Sequence, residues 1–294
     1  MLKYDLPQKF ENWIAKKNWV LRPHQIEVLN NPERQSQLLI APTGSGKTLA
    51  GFLPTLIELE AFDFTGLHTI YVSPLKALAS DIRRNLMVPI EEMNLNIRVE
   101  DRTGDTKAGT KRRQRVDPPH ILLTTPESLA LLISFPESKN LFANLKRIII
   151  DEIHALIESK RGHQLVLAIS RLQSLCNNLH KIGLSATVDR PKELAEFICE
   201  KNANCPIIFA KSRVDPDISM LKTKTAPPWA GAGATYSIPD VLEQISSHKT
   251  TLIFHNTRAQ AEIFFHNLWL NNKNNLPIAI HHGSLDLDQR KRVE

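Results

Sequence analysis

The chain has 294 residues, of which 42% are hydrophobic, and 37 Lys and Arg against 31 Asp and Glu give a net charge of +6. This is too apolar for a disordered or low-complexity chain, and long enough for about two domains. No run approaches the ~20 apolar residues of a membrane span, and the N-terminal MLKYDLPQKFENW carries charges where a signal peptide needs an apolar stretch. Cys176, Cys199 and Cys205 stand 23 and 6 residues apart, which fits neither a disulfide framework nor a paired-ligand zinc site. Together these features predict a soluble, intracellular protein with a cytoplasmic location. A surplus of six charges over this length is ordinary and does not by itself select a nucleic-acid partner.

Short apolar runs alternate with helical patterns over the first two thirds of the chain. The predicted strands are Gln37–Ile40, Thr69–Val72, Ile121–Thr124, Arg147–Ile150, Lys181–Leu184 and Pro206–Phe209, apolar on both faces like parallel strands covered by helices. Among the helices, Arg161–Leu175 places Leu165, Ile169, Leu172 and Leu175 on one face. Such alternation predicts an α/β fold with a doubly wound parallel sheet and ligands at the C-terminal strand ends. Lys107, Lys111, Arg112, Arg113 and Arg115 crowd into a stretch that reads by itself as a solvated surface loop. Residues 1–210 thus make one domain, and the polar, Pro- and Gly-containing residues 211–236 read as a linker. A second unit, 237–294, begins with a helix near Ile238–Ser246 and the strand Thr251–Phe254. A helix around Thr257–Leu270, the strand Pro277–His282 and a helix from about Asp286 follow.

The strongest local signal is Ala41-Pro42-Thr43-Gly44-Ser45-Gly46-Lys47-Thr48, between an apolar strand and a helical run. Glycines let successive N–H groups converge on phosphate oxygens, and the following helix offers its positive N-terminus. Lys47 suits the β- and γ-phosphates, and the Thr48 hydroxyl suits Mg²⁺. Thr43, Gly44, Ser45 and Gly46 complete the cradle, although Ala41 stands where the strict pattern has glycine. The matching acidic element is Asp151-Glu152-Ile153-His154, at the end of Arg147–Ile150. Asp151 is placed to hold magnesium, partly through water, and Glu152 to deprotonate an attacking water. This pairing predicts a P-loop nucleotide-phosphate site that uses Mg²⁺.

With DEIH in this setting, the sequence resembles the superfamily 2 DExH-box helicases. It is most similar to the large helicase-related (Lhr) family and its bacterial branch of ligase-associated DEXH-box DNA helicases. The stretches that carry the resemblance are RPHQ (22–25), APTGSGKTLAGFLP (41–54), SPLKALA (73–79), RTGDT (102–106), TTPESLALL (124–132), DEIHALIESKRG (151–162), LSAT (184–187), TLIFHNTRAQAE (251–262) and HHGSL (281–285). The resemblance implies a P-loop NTPase with ATP and Mg²⁺ as cofactors, built on a RecA-like parallel sheet flanked by helices and followed by an incomplete second RecA-like domain. It implies that Gln25 reads the adenine ring, and that His154, Ser185 and Thr187 couple the γ-phosphate to movement of the nucleic-acid surface. It further implies that a single nucleic-acid strand, DNA by family, is gripped through its backbone. By that resemblance the grip is expected from Pro74, Lys76, Arg102, Thr103, Gly104, Thr125 and Pro126, then from Asn256, Thr257, Arg258, His282 and Gly283 in the second domain. The Lys107–Arg115 cluster then becomes an auxiliary phosphate contact.

The implied function is ATP-dependent 3′-to-5′ DNA translocation in repair, with DNA-repair proteins as partners and no membrane. The arginine-finger motif of a complete motor does not occur within the 294 residues, so the chain is expected to be the N-terminal part of such a helicase. Loss of an arginine finger costs about 10³–10⁵ in turnover in related phosphoryl-transfer enzymes. The alternative expectation is therefore an ATP- and nucleic-acid-binding module without motor activity.

Overall fold

The structure, a computed structural model, describes residues 6–31, 35–176, 178–199, 205–211, 217–229 and 234–293, leaving aside the side chains of 76–80, 287, 288 and 291. By its internal packing the chain divides into two units, Met1–Val214 and Asp215–Glu294.

The first unit opens with helices α1 (Gln8–Lys16) and α2 (Pro23–Leu29). It then alternates β1 (Gln37–Ile40), α3 (Lys47–Ala61), β2 (Thr69–Val72), α4 (Lys76–Glu92), β3 (Val99–Arg102), α5 (Ala108–Val116) and β4 (Ile121–Thr124). Helices α6 (Pro126–Ile133) and α7 (Ser138–Phe142) lead to β5 (Arg147–Ile150). The unit continues through α8 (Lys160–Leu175), β6 (His180–Ser185), α9 (Pro191–Ile198) and β7 (Ile207–Phe209). The seven strands form one parallel sheet in the order β3-β4-β2-β5-β6-β1-β7.

Alternation along each strand sends side chains to two separate cores. Leu39, Tyr71, Leu123, Ile149 and Ile182 pack with α1 to α4 on one face. Leu38, Ile40, Ile70, Val72, Ile148 and Ile150 pack with α6 to α9 on the other. Both faces are covered, which is why these strands read as continuous apolar runs. Strand β3 was not apparent in the sequence. As an edge strand it keeps Glu100 and Asp101 half-exposed, and so lacks the apolar signature of its neighbours.

Two further expectations change. The basic stretch after Arg102 is the helix α5 rather than a loop. Within it, Arg113 pairs with Glu100 at 2.7 Å, and Arg115 lies 4.2 Å over the Phe135 ring and 3.8 Å from Glu137. Cys199 and Cys205 form a disulfide, because α9 ends and β7 begins with their Cα atoms 6.2 Å apart. Cys176 is a buried free thiol, pushed up to about 11 by burial.

The second unit contains α10 (Ile238–Ser247), α11 (Arg258–Leu270) and α12 (Leu287–Val293), with a small core of Ile238, Phe264 and Leu268. The strands expected at 251–254 and 277–282 do not form: neither segment joins a ladder among the described residues, and Leu252 and Phe254 are exposed. A parallel strand holds its place through neighbours that pair its backbone; among the described residues these segments have no pairing strand, although Ile278 packs against the small core. The segment expected as a linker divides at Val214, its later part belonging to the second unit. There the Lys224 backbone N–H donates to Asp240 at 3.3 Å and the Lys224 ammonium pairs with Glu243 at 2.8 Å.

Beneath the first sheet, the buried Arg147 of β5 forks onto Glu58 of α3 at 3.0 and 3.1 Å. It also donates to Thr55 at 2.9 Å and to the His180 ring at 3.2 Å. Burial pushes the Glu58 carboxyl up, but the His68 hydrogen bond and the Arg147 charge outweigh it and hold the group at about 2. A carboxyl held below its ordinary 4.5 stabilises the fold above that pH, and its contribution is lost as pH falls toward about 2. Glu58→Gln is expected to lower stability near neutral pH by about 3 kcal/mol, because it strands a buried guanidinium. Urea titrations across the acid range should also show a shallower pH slope than in the parent chain. At Gly162, in the first turn of α8, an added Cβ would lie 2.0 Å from the Leu156 carbonyl oxygen. Gly162→Ala should therefore cost about 1–3 kcal/mol, measured as a lower urea midpoint.

Candidate functional site

The loop after β1 turns into α3 through Gly44 and Gly46, both left-handed at φ +76° and +77°. Glycine accepts this conformation without the cost other residues incur. At Gly46 a Cβ would also meet the Gln25 amide nitrogen at 2.7 Å. The first turn of α2 braces the loop from behind. Arg22 donates to the Gly44 carbonyl at 3.1 Å, a His24 ring nitrogen meets the Ser45 carbonyl at 3.1 Å, and Gln25 Nε2 donates to the Gly46 carbonyl at 3.2 Å. In a trans peptide the N–H opposes the C=O, so this bracing turns the N–H groups of Gly46 and Lys47 away from α2. Burial and the nearby Arg22 charge lower the His24 pKa, with the Ser45 carbonyl opposing them, which favours a neutral ring.

The Gln25 amide is thus already committed on two sides, since its oxygen also accepts from the Arg22 backbone N–H at 2.9 Å. Gln25 is only 5% exposed, so an adenine contact would have to use its remaining N–H or rearrange the pair.

Three strand ends assemble the rest of this cluster. Lys47 is buried and reaches Glu152 Oε1 at 3.3 Å, although 105 residues separate them. The other Glu152 oxygen lies 3.4 Å from His154 Nδ1, and the same nitrogen is 3.2 Å from the Ser185 hydroxyl at the end of β6. Glu152 holds a left-handed backbone, φ +46°, which strains a residue bearing a Cβ. Its N–H donates to Asp151 Oδ1 at 2.9 Å, while the buried Tyr71 hydroxyl donates to Asp151 Oδ2. Burial raises Asp151 above the usual carboxylate range, with the Glu152 charge adding to it and Tyr71 and Lys47 opposing. Thr48 is half-buried beside Lys47, while Thr43 and Thr187 are exposed. Ser185 joins the cluster through its hydroxyl.

The residues fit a bound triphosphate with its cation. The Ser45 hydroxyl is buried without a partner, as expected of a donor reserved for an anion. Lys47 is held meanwhile by a carboxylate, and Asp151 and Thr48 supply the oxygen donors that Mg²⁺ requires.

The candidate nucleic-acid residues of this unit lie at the same edge of the sheet, after β2, β3 and β4. Pro74 is buried beyond β2, and Lys76 begins α4 with its side chain outside the described residues. Thr125 is the N-cap of α6, its hydroxyl accepting from the Ser128 N–H, and Pro126 is the first helical residue. Thr103 closes a tight turn, its N–H donating to Thr106 at 3.0 Å, and the Gly104 carbonyl accepts from Lys111 at 2.9 Å. Arg102 is not presented as a free cation. Its guanidinium is buried and donates to the Lys111 carbonyl at 2.8 Å and to Gln114 at 3.2 Å, docking α5 onto β3. Of the basic cluster, Lys107 and Arg112 are exposed and Arg113 and Arg115 are ion-paired.

In the second unit, Thr257 caps α11 by accepting from the Gln260 N–H at 3.2 Å, and Arg258 donates to Ser284. Gly283 lies against the Arg258 guanidinium, and the His282 ring contacts Glu262 at 2.6 Å. Asn256 is exposed just before the cap. Sequence reasoning missed Tyr71, Arg22 and His24. The trace of Tyr71 is one hydroxyl in the otherwise apolar part of TIYV, and that of the other two is their place in RPHQ.

The family described as DEAD/DEAH box helicase matches residues 22–196. The ATP-dependent helicase Lhr-Core protein 2 of Thermococcus barophilus is 37% identical over 92% of this chain and 34% of its own length. The Lhr helicase/uracil glycosylase of Escherichia coli is 33% identical over 84% of this chain and 19% of its own. Among solved structures, Mycobacterium smegmatis helicase Lhr bound to ssDNA and AMP-PNP is similar with a TM-score of 0.83 and 31% identity, covering 98% of this chain and 39% of that one. The chain therefore spans about a third or less of the length of these curated relatives.

Proposed function

The chain belongs to the DEAD/DEAH box helicase family, as a member of its Lhr type, and we propose that it binds and hydrolyses ATP to move along one DNA strand in the course of DNA repair. The observation that carries this reading is the meeting of Lys47, Asp151, Glu152, His154 and Ser185, which come from the ends of three strands. DNA is favoured by the bound single strand in the mycobacterial Lhr structure. Repair is favoured by the uracil glycosylase named with the helicase in the E. coli relative.

Each residue then has a part in the chemistry. The N–H groups of Gly46 and Lys47 and the Ser45 hydroxyl take the phosphate oxygens, and the Lys47 ammonium leaves Glu152 for them. Release from Lys47 frees Glu152 to accept the proton of the attacking water. Thr48 and Asp151 would hold magnesium, which when bound would offset the charge that develops on the phosphate oxygens. His154, between Glu152 and Ser185, sits where a change at the γ-phosphate reaches the end of β6. The turns at Thr103 and Thr125, shaped by their own hydrogen bonds to Thr106 and Ser128, are the surfaces that position a sugar–phosphate backbone without reading bases. Thr257, Arg258 and His282 do the same in the second unit.

Lys47→Ala is expected to weaken a fluorescent ATP analogue by ~100-fold, or about 3 kcal/mol. An unchanged dissociation constant would overturn the nucleotide site. Single-stranded DNA affinity, followed by fluorescence anisotropy, should fall steeply with salt because phosphate contacts release counterions. A flat response would count against a backbone grip.

A further inference from the structure

Tyr71 is the bulkiest of the fully buried side chains, and its position in the sheet is unusual for a polar group. Its register partners on either side are Leu123 of β4 and Ile149 of β5, and the surrounding core is apolar. The ring stacks on Phe52 of α3 with centroids 5.2 Å apart and planes 27° from parallel. Phe52 lies five residues beyond Lys47 on the helix that carries the phosphate lysine. Packing therefore places the ring, and the ring places the hydroxyl. A buried hydroxyl needs a partner, and this one donates to the Asp151 carboxylate, 80 residues away in sequence.

Asp151 has one donor for each oxygen: the Tyr71 hydroxyl on Oδ2 and the Glu152 N–H on Oδ1. The Glu152 N–H belongs to a left-handed residue next to the reacting centre. The Tyr71 hydroxyl belongs to the packed sheet. We propose that Tyr71 is a positioning residue for the metal site, locking the Asp151 carboxylate in the orientation that leaves its remaining lone pairs to the cation's water shell. The proposal rests on the reading of Asp151 as the magnesium carboxylate. Partners of this kind, behind a metal-binding carboxylate, set its geometry while never touching the metal.

The same bond has a place in the sheet order. Strand β2 leads directly into Ser73-Pro74, and β5 leads into Asp151. These two strands are neighbours, with Val72 opposite Ile150. Tyr71 therefore joins the strand that feeds a candidate nucleic-acid loop to the carboxylate of the nucleotide site.

The test is Tyr71→Phe in the whole chain, which keeps the ring and its stacking on Phe52 and removes only the hydroxyl. The dissociation constant of a fluorescent ATP analogue is measured in EDTA and in Mg²⁺, and Mn²⁺ binding to the protein–ADP complex is followed by electron paramagnetic resonance. The expected result is a loss of about 10- to 100-fold in divalent-dependent affinity, the range seen for such supporting partners, with metal-free affinity preserved. An altered Mn²⁺ spectrum should accompany it. An undiminished Mg²⁺-dependent gain overturns the proposal, and so does an equal loss with and without Mg²⁺, which marks a packing role alone. Asp151→Asn, measured in parallel, separates the two levels. If it abolishes the Mg²⁺-dependent gain while Tyr71→Phe does not, the positioning role alone fails. If Asp151→Asn also leaves the gain intact, the assignment of the metal carboxylate fails with it.

Discussion

Parallel pairing of neighbouring strands is the constraint on which the rest of the molecule depends. In a parallel sheet every strand ends on the same edge: Ile40 pairs with Ser185 across β1 and β6, and Ile150 of β5 pairs with Gly183, two residues before Ser185. The phosphate loop, the DEIH segment and the end of β6 are thereby brought within hydrogen-bonding reach across 31 and 105 residues of sequence. The strand order also divides that edge. Loops proposed to hold nucleotide follow β5, β6 and β1, while loops proposed to hold nucleic acid follow β3, β4 and β2. The border runs between β2 and β5, where the Tyr71 hydroxyl crosses from one half to the other.

The site is locally expensive and the body beneath it is not. At the sheet edge there are a buried carboxylate, a left-handed Glu152 and a buried hydroxyl without a partner. Such features persist where surrounding structure over-determines them. Two apolar cores, one on each face of the sheet, supply that support, together with the Arg147 network whose donors are met by Glu58, Thr55 and His180. Gly162 adds a steric limit, since the chain after DEIH passes too close to it for any side chain.

Charge in this molecule serves structure as much as binding. Arg102 and Arg113 look in the sequence like free phosphate contacts, yet one docks α5 onto β3 and the other pairs with Glu100. Only Lys107 and Arg112 of that cluster stay exposed and outside the pairings that occupy Arg113 and Arg115.

Local patterning in the sequence carried the expectation of a phosphate loop paired with DEIH, and it located six of the seven strands of the sheet. Spacing in APTGSGKT and DEIH reports local geometry directly, and strands buried on both faces leave an unbroken apolar run. It could not show β3, because an edge strand half-exposed at Glu100 and Asp101 has no such run. Nor could it show that the segments 251–254 and 277–282 stay unpaired, since a strand exists only through its neighbours. Tertiary structure alone decided which charges are spent internally, which Gln25 hydrogen bonds are taken and where the Tyr71 hydroxyl points. Those outcomes depend on groups tens of residues apart meeting across a sheet, and no local pattern records that distance.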